Sequence, residues 1–120
     1  MAQSAGLHEP ADQLQPATID RHRALASIQE ELEAVDWYDQ RVDATDDAEL
    51  AEVLAHNRDE EKEHAAMTLE WLRRHDAVLD GHLRTYLFTT EPIVGLEAAR
   101  GDSDGDGPTQ GSLGIGSLRS

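Results

Sequence analysis

The chain of 120 residues contains no cysteine. That excludes disulfides and thiolate metal sites together. Bulky apolar side chains are also scarce, with one Phe, two Trp, two Tyr and two Met. Alanine supplies much of the 38% hydrophobic content. A single domain built from such residues buries little on its own, and association is the natural remedy. No apolar run approaches the roughly 20 residues of a membrane span, so no membrane partner is expected. The opening stretch from Met1 to Pro10 lacks a basic patch and an apolar segment. It does not read as a signal peptide, and the cytoplasm is the expected location. Cations are few, with 10 Lys and Arg against 25 Asp and Glu, a formal charge of −15. Nucleic acid is excluded as a partner, because phosphate binding needs clustered Lys and Arg. The acidic excess favours either attraction of cations or plain solubility.

The pattern predicts an all-α domain over residues 15–100, behind a loose arm at 1–14. Pro16 suits a first helical position. From there Leu25, Ile28, Leu32, Val35 and Val42 recur on one helical face to about Ala44. Thr45 to Glu49 is the break, with Asp46 and Glu49 spaced as a capping box. A second helix is expected to about Arg74, with Leu50, Val53, Leu54, Leu69 and Leu72 at its apolar ends. Its middle places Asn57, Glu61 and His64 on the same stripe. A shorter helix follows Asp76 to about Phe88, and Pro92 opens a last one that fades by Arg100. Residues 101–111 are Gly- and Asp-rich and read as a flexible acidic linker. Apolar residues return at Leu113, Ile115 and Leu118, within 112–120. Such a tail either docks as an extended peptide in a partner's groove or is a plain terminus.

Glu61 and His64 form a Glu-x-x-His pair. With twelve Glu and six His in the chain, about 0.6 such pairs arise by chance, so the motif alone carries nothing. Its company matters. Glu31 and Glu61 lie equally far from the break, which puts them within about 1.5 Å of the same height in an antiparallel hairpin. His64 faces the same way as Glu61. Two carboxylates and an imidazole at one level of a hairpin are half of a two-metal site of the bundle type, which takes a Glu from each of two helices and a Glu-x-x-His from each of two others. A two-fold dimer would complete it, and oxygen and nitrogen ligands without sulfur suit Fe²⁺ or Mn²⁺. The alternative is a solvated, salt-bridged helix face. Tyr38, two turns beyond Glu31, is a weak ligand, a redox-active neighbour or a packing residue.

A second set is offset by one position and so turned about 100° away. Glu30, Glu33 and Trp37 make one stripe; His56, Glu60 and Glu63 make another. These read as an entry path, a weaker metal site or an exposed acidic face. His22, His75 and His82 lack acids at ligand spacing and read as structural or surface residues.

At Glu30 to Tyr38, His56 to Trp71 and Leu83 to Phe88 the sequence resembles the encapsulated ferritins, a bacterial and archaeal branch of the ferritin-like proteins. The tail Gly111 to Arg119 resembles that family's localisation peptide. The resemblance covers nearly the whole chain. It implies a helical hairpin that dimerises into a ferritin-like four-helix bundle, then assembles into a ring, typically a decamer. It implies a ferroxidase, oxidising Fe²⁺ to Fe³⁺ with oxygen or peroxide. The di-iron centre would use Glu31, Glu61 and His64 of both subunits, with Tyr38 nearby. Glu30, Glu33 and Trp37 would line the approach, and His56, Glu60 and Glu63 a secondary metal site. Iron would be stored in an encapsulin shell whose lumen holds the protein through residues 112–120. Rival readings are a manganese or peroxide-reducing di-metal oxidase, a metal-buffering module, and an adaptor that only recruits partners.

Overall fold

Residues 6–106 are described by a computed structural model, and among them all regular structure is helical. A 3-10 turn at Ala11–Gln13 precedes α1 (Pro16–Ala44), α2 (Ala48–Arg74), α3 (Ala77–Tyr86) and α4 (Ile93–Asp106). The turn lies within the stretch expected as a loose arm. The chain divides into two units, the first ending at Leu72 and the second beginning at Arg73.

In the first unit, Pro16 stands at the start of α1, where its missing N–H costs no helical bond. The helix stops at Thr45, whose extended backbone still donates its N–H to the Arg41 carbonyl. The Thr45 hydroxyl then accepts the Asp47 N–H at 3.2 Å, and Asp47 Oδ1 accepts the Leu50 N–H at 2.9 Å. Asp47, not Asp46, therefore caps α2. The Thr45 side chain turns the backbone for one residue more before the helix begins. Leu50 rather than Glu49 becomes the third helical residue, so the expected capping box does not form. Across the hairpin the Arg58 guanidinium donates to Asp39 at 2.8 Å and to Asp59 at 3.1 Å. These bonds, with Asp59 first, raise the Arg58 pKa, and the same contact lowers that of Asp59.

Apolar burial is slight. Ala65 and Leu72 are the buried hydrophobic residues among those described. On the stripe expected to form the α1 core, Leu25 and Leu32 remain exposed, as do Leu50 and Val53 on α2. One facing helix covers only part of an apolar stripe that is 100° wide or more.

In the second unit, the Asp76 side chain accepts the Leu79 N–H at 3.0 Å and caps α3. Asp80 accepts bonds from Arg73 and from Arg84. Partial burial works against its charge, but the two guanidinium groups outweigh it and hold the Asp80 pKa below the ordinary carboxylate value. The helix ends at Tyr86, short of the expected Phe88. Phe88 takes φ 59°, a left-handed conformation that cannot continue an α-helix. Pro92 precedes α4, which packs on α3 and runs to Asp106 rather than fading by Arg100. Once a helix is nucleated each further residue adds a bond, and the first six residues of the stretch read as linker are helical. The rest of that stretch and the peptide at 112–120 lie outside the described residues. Among the described residues no helix is long and apolar enough to cross a membrane.

Candidate metal centre

The stretch from His56 to His64 lies mid-way along α2 and carries an imidazole at each end with four carboxylates between them. Its geometry is set by helical spacing. His64 Nδ1 lies 3.6 Å from Glu61 Oε1, three residues back. Its other nitrogen, Nε2, lies 4.0 Å from Glu60 Oε1, four residues back. Glu60 Oε2 lies in turn 4.0 Å from His56 Nε2. The pair Glu61 and His64 is thus brought together as the spacing predicts. Glu60 was expected to face elsewhere with His56 and Glu63, yet it meets His64 as well. Glu60 and His64 are four residues apart, a spacing that puts them on one face of the helix, so Glu60 neighbours both His56 and His64.

The cations in this stretch pair with Asp side chains. Arg58 is engaged by Asp39 and Asp59, and Lys62 reaches Asp59 at 3.5 Å. Asp59 and Asp39 therefore engage both positive charges. Glu60 and Glu61 keep only imidazoles as close ion-pair partners among the described contacts.

Glu31 sits on α1, half-buried. Its Oε1 is buried and has no hydrogen-bond partner among the described residues. A buried carboxylate oxygen without a donor costs free energy unless a cation or a donor supplies what water would have given. That vacancy in its bonding fits a metal ligand. Among the described residues of one chain, however, no three His, Asp or Glu side chains form a group able to hold a metal ion. Glu31 therefore does not close on the Glu61–His64 pair within the chain. Equal distance from the turn matches heights along a hairpin but leaves the rotation of each helix about its axis free.

The remaining expected residues spread along the same two helices. Tyr38 is half-buried and Trp37 exposed. The Arg41 guanidinium stands over both rings, 5.9 Å from the Trp37 centroid and 5.5 Å from that of Tyr38. Arg41 was not singled out from the sequence, although it lies four residues after Trp37 and three after Tyr38, the spacings at which helical side chains meet. Such a contact at an exposed site contributes about 0.5–1 kcal/mol. Glu30 and Glu63 are exposed, and Glu33 is half-buried and engaged. His22 is half-buried, while His75 and His82 are exposed.

A family model described as EncFtn-like matches residues 6–90. The chain belongs to the EncFtn-like family. The chain is also 60% identical to an encapsulated ferritin-like protein of Rhodospirillum rubrum, with 99% of this chain and 92% of the relative aligned. It is 34% identical to the encapsulin nanocompartment cargo protein EncC of Myxococcus xanthus, over 78% of this chain and 79% of that one. Among solved structures, protein ne0167 of Nitrosomonas europaea superposes with a TM-score of 0.72 at 60% identity, covering 73% of this chain and 97% of that one. All ten residues singled out as ligands, approach or secondary site fall inside the EncFtn-like match, whereas the C-terminal peptide falls beyond it.

Replacing Glu31 tests whether its oxygen is held at a cost. Glu31→Met, of similar length, is expected to raise the stability of the metal-free protein by roughly 1 kcal/mol, because it removes an unsatisfied buried acceptor. Denaturant unfolding measures this. A destabilised variant would mean that Glu31 already has a stabilising partner.

Proposed function

We propose that this EncFtn-like protein is a ferroxidase that oxidises Fe²⁺ at a di-iron centre shared by two chains. The observation that carries the reading is the buried Oε1 of Glu31, partnerless among the described residues. Support comes also from Glu61 and His64, whose Oε1 and Nδ1 lie 3.6 Å apart on α2. A second copy would add its own Glu31, Glu61 and His64, giving the four carboxylates and two imidazoles that a two-metal bundle site requires.

Iron is the substrate, and the chain's residues act on it in three ways. The net charge of −15 raises the local concentration of Fe²⁺ by attraction. Glu31 and Glu61 supply hard anionic oxygen, which favours Fe³⁺ over Fe²⁺ and so lowers the potential. His64 offers one ring nitrogen as a ligand, while its other nitrogen faces Glu60, which would fix the tautomer and the ring orientation. Two Fe²⁺ release two electrons, enough to reduce oxygen to hydrogen peroxide or peroxide to water, with protons drawn from solvent. Trp37 and Tyr38, held by Arg41, would flank this route, with Glu30 and Glu33 along the approach and His56, Glu60 and Glu63 as a secondary site.

Storage is assigned to a shell. The relatives from R. rubrum and M. xanthus are named for encapsulation and for encapsulin cargo. On this reading residues 112–120 form the docking peptide, 101–111 the link to the helical domain, and dimers join into a ring inside the shell lumen.

Anaerobic loading with Fe²⁺ followed by exposure to oxygen should give oxidation well above the buffer rate. Glu31→Ala, Glu61→Ala and His64→Ala are each expected to slow it by about 10²-fold or more, the loss typical of removing a group that acts on the reacting centre. Oxidation no faster than buffer would reduce the protein to a metal buffer, and unchanged rates in the three variants would move the site elsewhere. For the shell, deleting residues 112–120 should abolish loading into a co-expressed encapsulin, and continued loading would show that the tail is not the address.

A further inference from the structure

Arg41 keeps company unlike that of Arg23 and Arg58, which pair with Asp20 and with Asp39 and Asp59. In a chain with 25 acids, Arg41 has no carboxylate partner among the described contacts. Two acids just before it are taken: Asp36 accepts from Gln40 at 3.2 Å, and Asp39 from Arg58 at 2.8 Å. The Arg41 guanidinium stands over two rings, 5.9 Å from the Trp37 centroid and 5.5 Å from that of Tyr38. The chain has two Trp and two Tyr, so half of its readily oxidised rings lie under one cation. A place in the last turn of α1 already suits a positive charge. That attraction comes from backbone carbonyls, however, and does not call for rings.

We propose that Arg41 is a positioning residue that guards Trp37 and Tyr38 against one-electron oxidation. A cation is attracted to the electron-rich face of a ring. A ring that loses an electron loses that face, and a positive charge left on it repels the guanidinium. In Trp37 the lost electron leaves a radical cation, which then sheds its indole proton. In Tyr38 the electron leaves together with the phenol proton. The oxidant rests on the ferroxidase reading: it is hydrogen peroxide, formed when oxygen takes two electrons. Peroxide takes two further electrons and two protons to become two waters. Two Fe²⁺ supply those electrons while iron is at hand. Once iron is spent, one electron and one proton from each ring would close the same balance. Trp37 and Tyr38 are the indole and phenol of α1, and Tyr38 stands two turns beyond Glu31, about 10 Å along the helix. The cation above them makes iron the easier donor.

Riboflavin and light oxidise aromatic side chains of the metal-free, full-length protein, and peptide mass spectrometry reads each residue. Trp71, 37% exposed against 48% for Trp37, is the internal reference. Arg41→Gln removes the charge. It is expected to raise the yield of oxidised Trp37 relative to oxidised Trp71 by about threefold or more, the factor for one unit charge about 6 Å away in water-like surroundings. Arg41→Lys keeps the charge and should stay near the unaltered ratio. An unchanged ratio in Arg41→Gln would overturn the guard. A rise in Arg41→Lys as large as in Arg41→Gln would overturn it too, because the guanidinium would then act as cover and not as charge. In Fe²⁺ oxidation with added hydrogen peroxide, Arg41→Gln should accumulate oxidised Trp37 and Tyr38 about threefold faster per Fe²⁺ oxidised. Equal accumulation would overturn the guard's place in the reaction. Protein that oxidises no Fe²⁺, yet shows the charge-dependent ratio under light, would end the ferroxidase reading and uphold the guard.

Discussion

A hairpin of two helices has one shared seam, and the apolar surface that seam can cover limits everything else in this chain. Among the described residues only Ala65 and Leu72 are buried hydrophobic side chains. Leu25, Leu32, Leu50 and Val53 lie on the two long helices and stay exposed. At about 25 cal/mol per Å² of apolar surface removed from water, so little burial offsets only a small part of the entropy lost in ordering 29 and 27 helical residues. Local devices therefore matter more than usual. Pro16 starts α1, Asp47 and Asp76 cap the helices that follow, and Arg58 to Asp39 ties the hairpin across its seam. Each contributes modestly. On the proposed reading, a second chain supplies the missing cover, and the same contact that buries Leu25 and Leu32 assembles the metal centre.

Charge is arranged around that need. In a chain with 25 acids and 10 bases, most carboxylates have no cation available. Asp39, Asp59 and Asp80 take the guanidinium groups that shape the helices. Glu60 and Glu61 are left facing imidazoles, and Glu31 Oε1 faces no donor among the described residues. The three Asp side chains thus serve structure, and on the proposed reading Glu31 and Glu61 serve a metal. The division has a physical basis. An Asp side chain stays near its own backbone and suits caps and short ion pairs, whereas Glu reaches one bond further from the helix surface.

Much of this was legible in the sequence. The all-helical class, the start of α1 at Pro16, the break near Thr45 and the Asp76 cap follow from turn and cap chemistry acting over a few residues. The pairing of Glu61 with His64 follows from helical spacing alone. What was misread depends on longer reach or finer competition. The Asp46 cap lost to Asp47 because the Thr45 hydroxyl holds the Asp47 amide. Glu60 belongs to the stripe of His56 and also approaches His64, because it stands four residues from each. Glu31 forms no three-ligand group with Glu61 and His64 among the described residues of one chain, and equal distance from the turn leaves the rotation of each helix free. Arg41 over Trp37 and Tyr38 was visible in spacing but carried no motif to single it out.

The central claim is that catalysis belongs to two chains together. Its most direct test is the specific rate of Fe²⁺ oxidation across a dilution series, with the oligomeric state measured by native mass at each concentration. The account predicts that the rate per chain falls in step with the loss of associated species and returns on reconcentration. A monomer that oxidises Fe²⁺ at the full rate per chain would contradict it.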